Sequence, residues 1–145
     1  MLRRVARDRA FLQMYRERIS NVPLFSGLSD RELRRLAQRA ERASVAKDTT
    51  LVTEGTTGVE FFVILSGAAK VTRRGRTVRK LGPGDSFGEL ALIAGTPRRA
   101  TVRTTEPSEI MVLVRRDFIA LLDDFPGMTR KLLVSLAEWV AERED

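Results

Sequence analysis

The chain has 145 residues, 43% hydrophobic and 31% charged, with 26 Lys+Arg against 19 Asp+Glu for a formal charge of +7, and neither histidine nor cysteine. That length suits one compact domain, and the two missing residue types exclude a disulfide framework, a thiolate nucleophile, a Ser-His-Asp triad and any metal site built on thiolate or imidazole. The pI near 10.9 points to a polyanionic partner, whether nucleic acid, an acidic membrane or a phosphorylated ligand.

Residues 1–40 read as a helical segment. They carry ten arginines against four acids, with Val5, Leu12, Tyr15 and Ile19 at loose helical spacing. Residues 1–20 lack the apolar stretch and small-residue cleavage site of a signal peptide, and no run of about 18 apolar residues follows anywhere, so a cytoplasmic location is expected. Pro23 disfavours helix at Val22 and breaks the segment. Ser29-Asp30-Arg31-Glu32 then predicts a capping box, in which the Ser29 hydroxyl accepts from the Glu32 N–H and the Glu32 carboxylate reaches back. Leu33, Leu36, Ala37 and Ala40 repeat at helical spacing and form one buried stripe.

Residues 41–115 change to short strands cut by glycine. Val45 and Leu51-Val52 flank a polar turn at Lys47-Asp48-Thr49. Glu60 to Leu65 is an apolar run of strand length between Gly58 and Gly67. Ala69 to Thr72 and Thr77 to Leu81 surround a hairpin-like turn at Arg73-Arg74-Gly75-Arg76, and residues 70–80 hold six cations and no acid. Ala100 to Thr104 and Glu109 to Val114 add two strands around Pro107. Short strands at spacings of about 8–12 residues predict a β-sandwich, jelly roll or barrel.

Helix returns over residues 116–145. Phe118, Leu121 and Leu122 form a short amphipathic stretch that Phe125-Pro126-Gly127 stops, and Leu132, Leu133, Leu136, Trp139 and Val140 share one face of a second helix. The three segments together form one domain. Only four of the cations are lysine, and most of the basic excess reads as solvated, arginine-rich surface.

The densest information lies in residues 82–102. Pro83 and Gly84 make a turn, Gly88 opens a short helix over Glu89 to Ile93, Gly95 and Pro97 end it, and the chain re-enters a strand through Arg98 and Arg99. A helix start beside a glycine offers N–H groups to an anion. An arginine about ten residues later adds a bidentate phosphate clamp, and Glu89 offers an acceptor for a sugar hydroxyl. Together they suit a phosphorylated ribose. Gly82, Gly84 and Gly88 miss the dinucleotide fingerprint by one residue, and no P-loop is present.

Phe87-Gly88-Glu89-Leu90-Ala91-Leu92, followed by Arg98-Arg99-Ala100-Thr101-Val102, closely resembles the phosphate-binding cassette of cyclic nucleotide-binding domains. Val22 to Ser29 is similar to that family's N-terminal helical segment, Gly55 to Gly67 to its second and third strands, and Gly82 to Asp85 to the turn before the cassette. The resemblance spans roughly residues 20–135. It implies a mainly β, α+β fold: an eight-stranded antiparallel β-roll (jelly roll) with N-terminal helices and C-terminal lid helices. It implies a non-enzymatic sensor of cyclic AMP, with cyclic GMP the second candidate, and no cofactor. Glu89 would accept the ribose 2′-OH, and Arg98 would pair with the exocyclic phosphate oxygens. Backbone N–H groups of Gly88, Leu90 and Arg99 or Ala100 would complete the cradle beside Phe87, and Val71 would pack on the base. Leu133, Leu136 and Trp139 are the apolar lid candidates, with ordinary helix packing the plainer reading for Trp139.

Two departures stand out. Arg99 occupies a position where the family usually has Ala, Ser or Thr, and Val59 stands where an acidic residue often follows the glycine. Arg99 keeps open a degenerate roll that serves only as an interaction module. A metal-dependent cupin lacks the histidines it needs, and no metal is expected. A DNA-binding regulator lacks a helix-turn-helix within these residues, so no specific DNA binding is expected. The terminal helices are candidates for a homodimer contact or for contact with an effector domain.

Overall fold

The computed structural model describes residues 9–89, 92 and 94–143, and the side chains of residues 9–11, 132, 135, 136, 139, 142 and 143 are not among those described. Helix α1 (Arg9–Ser20) buries Leu12, Tyr15 and Ile19. A 3-10 turn at Pro23–Phe25 buries Leu24 and Phe25. Helix α2 (Asp30–Arg39) starts at the expected capping box, with Glu32 N donating to Ser29 Oγ at 3.2 Å and Ser29 N donating to Glu32 Oε1 at 2.8 Å. Its apolar stripe, Leu33, Leu36 and Ala37, is buried.

Eight antiparallel strands follow: β1 (Glu41–Val45), β2 (Thr50–Val52), β3 (Glu60–Ser66), β4 (Ala69–Arg73), β5 (Arg76–Leu81), β6 (Ser86–Phe87), β7 (Thr101–Thr104) and β8 (Ser108–Val114). They form two four-stranded sheets, β1-β8-β3-β6 and β2-β7-β4-β5. This is the expected roll. The two-residue β6, which the sequence pattern folds into the cassette turn, is a strand in its own right, registered Phe62 to Phe87 on β3.

The apolar run of β3 is buried on both sides, and its period of two divides the labour. Phe61, Val63 and Leu65 pack with Met111 and Leu113 of β8 under α1, α2 and the 3-10 turn. Phe62 and Ile64 point the other way, between the sheets, with Ile110 and Val112 in one cluster and Ala69, Leu81 and Val102 in another. Phe25 meets Phe61 edge to face at 5.7 Å, which fixes the N-terminal turn on the sheet. Helices α3 (Arg115–Asp124) and α4 (Gly127–Arg143) close the order, with Phe118, Leu121 and Met128 in the same core.

The second sheet is less filled. On β5 only Leu81 is buried, and Arg76 to Lys80 are all exposed. Register slips between Val71 and Thr72 of β4, leaving Val78 as the extra residue of a β-bulge on β5. The space in front of this part of the sheet is where the cassette lies.

Candidate ligand-binding site

The turn before the cassette is held by its own polar groups. Gly82 N donates to Asp85 Oδ2 at 2.8 Å, Asp85 N donates to the Gly82 carbonyl at 3.0 Å, and Gly84 N donates to the Ile64 carbonyl at 2.8 Å. The Asp85 carbonyl in turn accepts from Ile64 N at 2.8 Å, so β3 fixes both ends of the turn and launches β6. Phe87 stacks on Phe62, Gly88 turns the chain at φ +94°, and helical backbone begins at Glu89. Leu92, buried in the helix-side core, ties the cassette down.

Arg98 is clamped from the β2–β3 loop. Its N–H donates to the Thr56 carbonyl at 2.7 Å and its carbonyl accepts from Gly55 N at 2.8 Å. With the backbone fixed, the side chain runs inward: it is 8% exposed, and Nη2 donates to the Glu60 carbonyl at 3.0 Å. Burial lowers its pKa from the usual value, and the Glu60 carboxylate, 3.6 Å away, opposes that shift. Two glycines make the slot. A Cβ on Gly58 would stand 2.6 Å from Arg98 Nη2, and one on Gly88 would stand 2.9 Å from Nη1 and 2.7 Å from the Glu60 carbonyl oxygen.

Between the cassette and the β4-β5-β7 surface lies a cavity of about 420 Å³, inside the range of roughly 300–1,000 Å³ that small-molecule sites occupy. Its floor is apolar, from Val52, Val71, Val78, Leu81, Phe87 and Val102. Among the described residues, its charged lining is four arginines, Arg73, Arg79, Arg98 and Arg99, against one carboxylate, Glu89. An apolar floor with a cationic wall fits a flat, apolar-faced ligand that carries an anionic group.

Residues 42–125 match the pattern of the cyclic nucleotide-binding domain. The chain belongs to that family. It is 36% identical over 114 residues to the cAMP-dependent protein kinase regulatory subunit of Yarrowia lipolytica, covering 79% of this chain and 30% of that one. It is 34% identical over 113 residues to the Pycsar effector protein PaPycTIR of Pseudomonas aeruginosa, covering 77% of this chain and 37% of that one. The chain therefore spans about a third of the length of these curated relatives. Among solved structures, the regulatory domain of Toxoplasma gondii PKA in co-crystals with cAMP matches with a TM-score of 0.75 at 28% identity, over 85% of this chain and 48% of that one.

Of the site residues expected for a cyclic nucleotide-binding domain, Val71, Phe87, Gly88, Glu89, Arg98, Arg99 and Ala100 all line the cavity. Leu90 lies outside the described residues, as do the side chains of Leu136 and Trp139. Leu133 is 60% exposed, and among the described residues nothing from α3 or α4 lines the cavity. Ala100 precedes β7 in a bend rather than starting the strand. Arg99 is exposed at the cavity wall, and its carbonyl accepts from Arg73 Nε at 3.1 Å.

Sequence reasoning missed Arg73 and Arg79 as lining residues and Glu60 as the neighbour of Arg98. The strand alternation on β4 carries a signal for Arg73, which shares a face with Ala69 and Val71. Nothing local marks Glu60, which meets Arg98 across 38 residues of sequence. No group of three or more His, Cys, Asp or Glu side chains able to hold a metal occurs among the described residues.

Proposed function

We propose that this domain is a non-enzymatic sensor that binds a cyclic purine nucleotide, cyclic AMP first and cyclic GMP second. The observation that carries the reading is the convergence, in one cavity, of a buried arginine, a carboxylate at a helix start and an apolar floor. In this reading Arg98 takes the cyclic phosphate, Glu89 accepts the ribose hydroxyl, Gly88 lets the backbone approach, and Val71 packs on the base. Two charge-assisted contacts at about 1.5–3 kcal/mol each supply much of the roughly −8 kcal/mol of a micromolar site. The kinase regulatory subunits among the relatives support cyclic AMP as the first ligand to test.

Ligand binding then draws α4 toward the cavity. The ligand must prefer the closed arrangement for this to happen, and the exposed Leu133 supplies an apolar surface to bury. The domain acts in the cytoplasm on an effector or a second copy through its terminal helices. Calorimetric titration of cyclic AMP and cyclic GMP into wild type and Arg98→Ala tests the reading. Binding weakened by about tenfold or more in the variant supports it, whereas equal affinity removes Arg98 from the site. Binding of neither nucleotide by wild type leaves the interaction-module reading in its place.

A further inference from the structure

The buried cation of the cavity already has an anion beside it. Arg98 Nη2 lies 3.6 Å from the Glu60 carboxylate while donating to the Glu60 carbonyl, and the Glu60 side chain is 38% exposed. The position is a built one. A Cβ on Gly58 would stand 3.2 Å from Glu60 Oε1 as well as 2.6 Å from the guanidinium, so a glycine there leaves room for both partners. Glu60 itself is held by its register opposite Val114 and by the Arg115 N–H bond to the Val59 carbonyl at 2.9 Å.

We propose that Glu60 is the resident counter-ion of Arg98 and sets the affinity of the cavity by competing with an incoming phosphate for that guanidinium. The inference rests on the nucleotide reading above. An unpaired guanidinium at this depth is costly, so the empty domain gains from an anion in the slot. A phosphate is the better partner here, because the Glu60 carboxylate stands 3.6 Å off, beyond hydrogen-bond distance, whereas an incoming phosphate can accept two parallel N–H bonds. With both anions present one cation faces two negative charges, and their repulsion is stronger in a partly water-excluded site than in bulk. The Glu60 side chain is exposed enough to turn its carboxylate to solvent, while the carbonyl bond keeps the guanidinium oriented. Losing that ion pair is subtracted from the binding free energy. Glu60 is thus a positioning residue: it stabilises the empty site and weakens the occupied one.

The test compares wild type, Glu60→Gln and Glu60→Asp by calorimetric Kd for cyclic AMP and by melting with and without saturating nucleotide. Glu60→Gln tightens binding by about three- to tenfold and lowers Tm of the empty protein, with little change when saturated, and Glu60→Asp keeps the wild-type Kd. Unchanged or weaker binding in Glu60→Gln overturns the proposal and leaves the nucleotide reading intact. Should wild type bind neither nucleotide, that reading fails and melting in inorganic phosphate decides this one. Greater stabilisation of Glu60→Gln than of wild type upholds the competition; equal stabilisation, or none in either, overturns it.

Discussion

Phe87, on the strand that leads into the cassette, stacks on Phe62 with ring centroids 4.8 Å apart and planes 11° from parallel. Phe62 is buried at the centre of the roll, and its partner is registered directly opposite on β6. The cassette is thereby fastened to the core one residue before Gly88 and Glu89. Phe87→Ala is expected to cost about 2 kcal/mol in urea denaturation, below the roughly 3–5 kcal/mol of a fully buried Phe because Phe87 is half-buried. Ligand affinity should fall with it, since the loosened β6 no longer holds Glu89 and Arg98 in one geometry. Phe87→Leu keeps most of the packing and should lie between. Wild-type stability in Phe87→Ala would disprove the anchoring role.

The two slot glycines separate binding from folding. At Gly58 an added methyl meets the end of a flexible side chain, Arg98 Nη2, so Gly58→Ala should fold normally while displacing the guanidinium and weakening nucleotide binding by about tenfold. At Gly88 the methyl meets the Glu60 backbone at 2.7 Å with φ at +94°, so Gly88→Ala should lose stability as well as affinity. Paired melting and titration curves distinguish the two. A Gly58→Ala protein that binds as wild type would place Arg98 away from the ligand.

How much of this was legible in the sequence depended on how local each signal is. The capping box at Ser29 and Glu32 and the glycine-bounded β3 run are short-range patterns, and the structure has a counterpart for each. The Phe87 to Val102 motif is as local, and of its described residues Phe87, Gly88, Glu89 and Arg98 line one cavity. Two-residue β6 carries no periodicity to read, because alternation needs more than one step. Glu60 opens an apolar strand and looks like a solvated strand end until the fold brings Arg98 beside it. The stripe through Leu133 and Leu136 announces an amphipathic helix but not its partner, and Leu133 is in fact exposed. Nothing in the sequence marks the bulge on β5, which leaves Val78 lining the cavity although it is 59% exposed.

Glu32 makes the N-terminal segment acid-sensitive. Its pKa is lowered from 4.5, first by the backbone hydrogen bond from Ser29 and then, against an opposing burial effect, by the hydrogen bond from Lys131. Lys131 Nζ also donates to the Gly27 carbonyl at 3.0 Å, tying α4 to the start of α2. A depressed carboxylate contributes stability that is full above 4.5 and is lost as pH falls through the lower folded value. Melting from neutral pH downward should show this loss in wild type, and Glu32→Gln should lack that component. Parallel acid profiles for the two proteins would count against it. Ser29→Ala should cost about 1 kcal/mol at neutral pH.

Tyr15 gives the opposite pH dependence. It donates to the Glu109 carboxylate from α1 to β8, and its pKa is raised above 10.0, first by burial and then by that hydrogen bond. The neutral phenol is the folded form, so its contribution is present below 10.0 and lost as pH rises through the higher folded value. It is the only tyrosine in the chain, so phenolate absorbance reports it alone. An alkaline titration of the folded protein should give a midpoint above that of the urea-unfolded chain, and Glu109→Gln should narrow the gap. Equal midpoints in folded and unfolded protein would rule out the α1 to β8 tie.

The outer face of the second sheet carries a like-charge row. Lys70 of β4 is registered opposite Lys80 of β5 on one side and Arg103 of β7 on the other. Ala69 and Val71 point inward, so Lys70 points away from the cavity. Like charges directly opposite on a sheet face are destabilising, and opposite charges contribute about 0.2–1 kcal/mol per pair. Lys70→Glu should therefore raise stability by roughly 0.5 kcal/mol and leave nucleotide affinity as in wild type. Arg103 already has Asp48 at 3.9 Å, which keeps the gain below that of two fresh pairs. The effect is electrostatic and exposed, so it should shrink as salt rises through a Debye length of about 8–10 Å. A Lys70→Glu protein that melts below wild type at low salt would show that another charge governs this face.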